Sequence, residues 1–281
     1  MEIETLDDAI PRRVRQCSDA AAKRFHPSVR AVIAGQNGRP VSFIGTCMLL
    51  HVAGAHFVVT AAHVTDWLDD HQLYVAGSVG TQPVQIIGRV DVTDKVNGDR
   101  LADKIDIAFC KLQDAAVAEL GEVAFIDESE IYLNRDALAH HQYLAMGYAV
   151  SRNKRSIDNR NKGLKPVLSK YTADLNDDPR LPERVGVSGE RHLFLKYAET
   201  SESSTGELKN TFKPNGLSGG PLIHLGNFAA MGRFEETELP VGRLAGMIIE
   251  KKGANLVAVK IQAVIEAIRK MHPEQTSSNA R

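Results

Sequence analysis

Apolar, β-branched runs of four to ten residues, set apart by glycines and polar turns, organise most of this chain. They fall at 29–34, 42–51, 55–60, 72–76, 84–92 and 105–112. Beyond an Asp/Glu-rich connector at 127–130 they resume at 141–148, 166–175, 192–199, 221–224, 244–250 and 256–259. Strands of this length at such intervals predict an all-β chain of antiparallel barrels or sandwiches, in two halves that divide near residue 130. Helical periodicity is confined to the ends. Val14, Cys17, Ala21 and Phe25 recur at spacings of three and four within a helix expected over 7–25, with Pro11 in its first turn and Pro27 ending it. Ile261, Val264, Ile265 and Ile268 form an apolar stripe that predicts a helix over 260–271 packed on the second half. The segment 151–170, dense in Arg and Lys, reads as a solvated loop, and 200–213 as a mobile loop that leads into a glycine-rich turn. From His272 on, the chain reads as a frayed polar tail.

Composition narrows the classes without naming one. The chain of 281 residues is 43% hydrophobic and 25% charged, as in ordinary globular proteins, and long enough for a substantial core. A formal net charge of -1 offers no electrostatic reason to expect nucleic acid or an anionic membrane as partner. No apolar run approaches the roughly 18 residues of a membrane span. Three cysteines, Cys17, Cys47 and Cys110, lack any paired or metal-ligand spacing, so neither a disulfide framework nor a metal centre is expected, and no cofactor is implied. The acidic N-terminus has no apolar core and does not read as a secretory signal, which points to the cytoplasm.

Chemistry concentrates in three stretches. In Asn215-Gly216-Leu217-Ser218-Gly219-Gly220-Pro221, glycines flank a lone serine. Such a turn can take positive φ and aim the amides of Gly216 and Ser218 at one point beside the hydroxyl, forming attacker and oxyanion hole together. The plain alternative is a glycine-rich turn with a solvated serine. His63, in Thr60-Ala61-Ala62-His63, follows an apolar run and should start a helical turn, either as a base facing a cleft or as a satisfied structural histidine. Asp106 is embedded in the apolar pattern Ile105-Asp106-Ile107-Ala108-Phe109, alternating faces with its isoleucine neighbours. Burying it there demands a partner such as an imidazole N–H; otherwise it is an exposed strand-edge acid. Asp103 is the nearby alternative, with polar neighbours that suit a loop. The Gly216–Gly220 stretch also satisfies a GxSxG pattern, but Gly219-Gly220-Pro221 would break the helix that α/β-hydrolases need after the serine.

Together, Thr60-Ala61-Ala62-His63, Asp106-Ile107-Ala108 and Gly216-Leu217-Ser218-Gly219-Gly220-Pro221 resemble the three signature segments of trypsin/chymotrypsin-like serine proteases, in the family's order. The resemblance runs from about residue 29 to the terminal helix. It implies an all-β fold of two six-stranded antiparallel β-barrels of the chymotrypsin type, with an N-terminal helix and a C-terminal helix. The implied units are a helical extension at 1–28, a barrel at 29–126 bearing His and Asp, and a barrel at 127–281 bearing the nucleophile. It further implies a serine endopeptidase in which His63 is the base, Asp106 orients it, Ser218 attacks, and the Gly216 and Ser218 amides hold the oxyanion. Substrate would be a protein or peptide, pairing as an added strand along 246–250 and touching Met247, Ile248 and Ile249. The specificity pocket should involve Phe212, Lys213 and Asn215; without an acid there, apolar or small side chains are expected before the cut.

Two departures bear on activation. Leu217 stands where zymogen-activated animal members carry an aspartate, so 29–34 is expected to be a plain strand and not a cleavage site. Val64 follows His63, so the disulfide that usually braces the histidine is missing, which suits a reducing compartment. A regulatory protein partner is the remaining expectation. Its competitor reading is a protease-fold peptide-binding module with little free activity.

Overall fold

The computed structural model describes residues 6–36, 39–77, 82–86, 88–100, 102–133, 141–154, 165–202, 208–228 and 242–273. Helix α1 (Leu6–Phe25) opens the chain. The first half then supplies β1 (Val29–Gln36), β2 (Arg39–Val52), β3 (Ala55–Ala61), α2 (Ala62–Thr65), β4 (Gln72–Val75), β5 (Val84–Gln85), β6 (Val90–Val92), β7 (Ile107–Lys111), α3 (Asp114–Leu120) and β8 (Ile126–Asp127). The second half supplies β9 (His141–Gly147), α4 (Val150–Asn153), β10 (Ser169–Asp174), α5 (Leu181–Val185), β11 (His192–Lys196), β12 (Thr200–Glu202), β13 (Leu208–Asn210), β14 (Pro221–Asn227), β15 (Arg243–Lys252), β16 (Asn255–Lys260) and α6 (Ile261–Met271).

Two curled, mainly antiparallel sheets result. The first runs β5-β4-β1-β2-β3-β7-β6, with β8 added in parallel beside β2, so it holds eight strands where six were expected. One extra strand is β8, and the other arises at 84–92, which reads as one strand but splits. β5 pairs with β4 at one edge and β6 with β7 at the other, so the same short stretch of chain serves both edges. The second sheet has the expected six strands, in the order β10-β9-β14-β15-β16-β11. Its outer members approach each other through a Leu175–Leu195 bridge and a 2.6 Å bond from the Asn176 amide to the Phe194 carbonyl. Within 200–213, β12 and β13 pair as a ribbon, a correction to the loop expectation, and 203–207 lie outside the described residues. Of the basic segment, 155–164 lie outside the described residues, as does the tail from 274.

Both terminal helices are amphipathic. Cys17, Ala21 and Phe25 of α1 are fully or almost fully buried in a core shared with β1, β9 and β14 residues. Pro11 sits inside α1, past the first turn of its described residues, where its missing N–H removes one internal hydrogen bond. Ile261, Val264, Ile265 and Ile268 of α6 are buried in the same core, as the stripe predicts. No helix among the described residues is long and apolar enough to cross a membrane.

Candidate active site

His63 and Asp106 meet because their strands are neighbours. β3 pairs antiparallel with β7, with Ala61 opposite Ile107. One residue further, the Ala62 amide donates to the Asp106 carbonyl at 3.0 Å, so the end of β3 and the start of β7 lie side by side. The backbone N–H of His63 then donates to Asp106 Oδ1 at 2.9 Å, and its ring Nδ1 lies 2.6 Å from Asp106 Oδ2. A ring nitrogen that close to a carboxylate carries the proton, which leaves Nε2 as the lone-pair nitrogen of a neutral ring. Asp106 is 7% exposed, whereas the His63 side chain is 39% exposed and lines a cavity. Burial lowers the affinity of His63 for a second proton. The hydrogen bond and charge of Asp106, with smaller contributions from Asp66 and Glu250, outweigh it and leave the pKa above the ordinary 6.5.

One expectation about Asp106 needs correcting. It does not alternate within a strand, because β7 begins only at Ile107 and Asp106 has φ 49. This left-handed conformation is uncommon for a residue with a side chain, though aspartate tolerates it better than most. It frees the carboxylate from the pleat and turns it toward the histidine turn. The support lies in Asp103, a residue the local pattern leaves in an ordinary loop. Asp103 is 9% exposed, and its Oδ1 accepts from the amides of Ile105 and Asp106, both at 3.0 Å.

Ser218 comes from the tight turn before β14. Gly216 (φ 95) and Gly219 (φ 86) both require left-handed backbone. At Gly219 a Cβ would lie 1.9 Å from the Thr46 carbonyl oxygen, and at Gly216 one would lie 2.6 Å from that of Tyr148. Within 216–220 the amides of Leu217, Gly219 and Gly220 are satisfied by Pro214, Ile248 and Leu217 carbonyls. The amides of Gly216 and Ser218 donate to no acceptor among the described residues, which leaves them available to a ligand oxygen. A strand follows the serine, so the turn is not the strand-to-helix elbow of an α/β-hydrolase.

Thr46 of β2 was not singled out by its sequence context, yet it ties this turn to the first sheet. It is fully buried. Its amide donates to the Ser218 carbonyl at 2.9 Å, its hydroxyl donates to the Gly216 carbonyl at 2.6 Å, and that hydroxyl accepts from the Tyr148 amide at 2.8 Å.

The cavity, about 830 Å³, is lined by His63, Asp106 and Ser218 together, with Lys213, Asn215, Ile248 and Ile249 from the expected substrate-binding set. Phe212 and Met247 are placed elsewhere. Phe212 is buried in the second sheet's core beneath the Arg152 guanidinium, and Met247 is buried between the sheets. Ile248 and Ile249 both reach the cavity wall because the pairing of β15 with β16 shifts register between Ile248 and Glu250, whereas Met247 lies before that irregularity and packs into the core. The Ser218 hydroxyl donates to the Ile249 carbonyl at 3.0 Å, and among the described residues no hydrogen bond joins it to His63.

All three cysteines are buried and unpaired, and no cluster of three His, Cys, Asp or Glu among the described residues is arranged to hold a metal. Comparison with known proteins finds no family model and no curated protein that matches this chain.

Proposed function

We propose that this protein is a serine endopeptidase of the chymotrypsin fold type, acting on protein or peptide substrates. The observation that carries the reading is one cavity wall bearing a serine hydroxyl, two unoccupied amides beside it, and an imidazole whose Nδ1 is held 2.6 Å from a buried carboxylate. In the proposed reaction the Ser218 hydroxyl leaves the Ile249 carbonyl and turns to His63 Nε2, which takes its proton as Oγ bonds to the scissile carbonyl carbon. The oxygen of the tetrahedral intermediate takes hydrogen bonds from the Gly216 and Ser218 amides, worth roughly 3 kcal/mol per donor. His63 returns the proton to the leaving amine as the C–N bond breaks, and water then hydrolyses the acyl-enzyme by the same relay. Arg30 is buried within β1, so trimming there would first require unfolding, and the enzyme is proposed to act without N-terminal cleavage. The three unpaired buried cysteines suit a reducing, cytoplasmic setting.

The hydrogen bond from Ser218 to Ile249 favours a second reading, in which the resting site awaits a substrate or protein partner that turns the hydroxyl. A fluorophosphonate probe tests both. Labelling of the wild type at Ser218, lost in Ser218→Ala, supports the enzyme; labelling that needs added cell extract supports gating. An unlabelled serine under every condition removes the hydrolytic reading.

A further inference from the structure

The contacts around Asp106 extend beyond the histidine it holds. Asp103 Oδ1 accepts the Ile105 and Asp106 amides, while its Oδ2 accepts from the Thr93 hydroxyl at 2.5 Å and Arg100 Nη1 at 3.0 Å. Thr93 in turn uses its hydroxyl oxygen to accept the Ile107 amide at 3.0 Å, on the other side of Asp106. Arg100 reaches further. The same Nη1 donates to the Thr93 carbonyl at 2.6 Å, and its Nε and Nη2 lie 3.3 and 3.4 Å from the carboxylate of Asp66, three residues after His63. The turn that carries the imidazole and the turn that carries the carboxylate are therefore joined by two routes: directly through the bonds of Ala62 and His63 to Asp106, and again through Asp66–Arg100–Asp103.

We propose that Asp103, anchored by Arg100 and Thr93, is a positioning residue that holds Asp106 in its left-handed conformation and so aims its carboxylate at His63 Nδ1. Asp103 need not touch substrate or exchange a proton. With Oδ1 absent, two adjacent amides lose their acceptor. The uncommon φ of 49 at Asp106 then loses its nearest support, and relaxation of that residue swings the carboxylate away from the ring. A 1 Å displacement in such a pair is enough to matter for proton transfer. The inference rests on the reading of His63 as the working base, but its first consequence, the state of the imidazole, exists whether or not the protein cleaves anything.

The test compares wild type, Asp103→Ala and Asp103→Asn by NMR of the His63 ring. The low-field Nδ1–H resonance and the titration midpoint are recorded, and fluorophosphonate labelling rates are taken on the same samples. Charged groups facing the ring are Asp106, Asp66 and Glu250, so the charge of Asp103 itself must be separated from its placement of Asp106. Asp103→Asn removes the charge while its amide oxygen still accepts the Ile105 and Asp106 N–H groups. Its NH2 loses the Oδ2 bonds from Thr93 and Arg100, so an effect intermediate between wild type and alanine is expected. The expected result is loss of the Nδ1–H signal, a lower His63 midpoint and a 10- to 100-fold slower labelling rate in Asp103→Ala, with Asp103→Asn between wild type and Asp103→Ala on all three. An unchanged His63 resonance and midpoint in Asp103→Ala overturns the proposal, and so does an asparagine variant indistinguishable from the alanine one. Should Asp103→Ala not fold, Arg100→Gln takes its place. A lower midpoint there supports the proposal, and an unchanged one overturns it. Absence of labelling in every sample, with the NMR changes present, removes the hydrolytic reading and leaves the positioning role standing.

Discussion

The backbone amide of Thr46 donates a 2.9 Å hydrogen bond to the carbonyl of Ser218, joining the first sheet to the turn that carries the hydroxyl. The Thr46 hydroxyl adds bonds to Gly216 and Tyr148 in a fully buried position. Thr46→Val keeps the shape and removes the hydroxyl, leaving the Gly216 carbonyl and the Tyr148 amide without partners. Each orphaned buried group costs about 1–3 kcal/mol. Urea unfolding should therefore show a loss of about 2–6 kcal/mol, with Thr46→Ser close to wild type. Serine and valine variants of equal stability would contradict this account.

Gly219→Ala tests the turn itself. The new methyl would meet the Thr46 carbonyl oxygen at 1.9 Å, and its backbone would have to hold φ 86. The obstructing oxygen is backbone, and the next contact, the buried Thr60 hydroxyl at 2.3 Å, is itself bonded to that same carbonyl. The expected destabilisation is about 3–5 kcal/mol, at the upper end for a single substitution, with soluble yield falling accordingly. A variant with wild-type melting behaviour would show that the turn is built otherwise.

The raised pKa of His63 predicts the pH dependence of acylation. The base form of the ring accumulates only as pH rises, so the probe-labelling rate should climb with pH and reach half its maximum above 6.5. Asp106→Asn should lower both the midpoint and the plateau. The same shift acts on stability with a definite sign. The folded state favours the imidazolium, so this contribution is complete below 6.5 and fades as pH rises through the folded pKa. A labelling profile with its midpoint below 6 would contradict the pairing.

His224 predicts the opposite trend at acid pH. Its Nε2 lies 2.9 Å from His141 Nδ1, its ring stacks on Tyr132, and burial followed by the neighbouring His141 lowers its pKa to about 4. The unfolded chain takes up this proton near 6.5 and the folded one only near 4. Stability is thus full above 6.5 and is lost as pH falls through that window, by up to about 3 kcal/mol. Urea midpoints at pH 7 and pH 4.5 should differ more for wild type than for His224→Phe. Equal differences would remove His224 as a source of acid sensitivity.

Much of the fold can be read from local pattern, since β-branched runs between glycines are short-range features that strands need wherever they end up. The stripe of Ile261, Val264, Ile265 and Ile268 likewise predicts α6 and its buried face. The stretch 84–92 shows where this fails. Apart from Gly88, which takes φ 124 between the two strands, its residues read as one extended run, and nothing local says that its two ends pair with strands at opposite edges of one sheet. Phe212 and Met247 fail for a related reason: proximity in sequence to a serine or a substrate-pairing strand does not say which face of the backbone meets the cavity.

The amino-acid sequence alone determined that the chain is β-rich in two halves with a helix at each end, and that a serine between glycines, a histidine and an aspartate stand in a chemically suggestive order. Residue type and spacing are enough for that, because strand preference and turn chemistry act over a few neighbours. Tertiary structure decided the rest: that Ala61 lies opposite Ile107 and so sets Asp106 against His63, that Thr46 fastens the Ser218 turn, and that Asp103 and Arg100 brace the acid. The first two relationships join positions tens to well over a hundred residues apart; the brace joins residues three apart, but Asp66 completes it from 34 residues away. The hydrogen bonds that fix them exist only once the sheets have curled and buried the groups concerned.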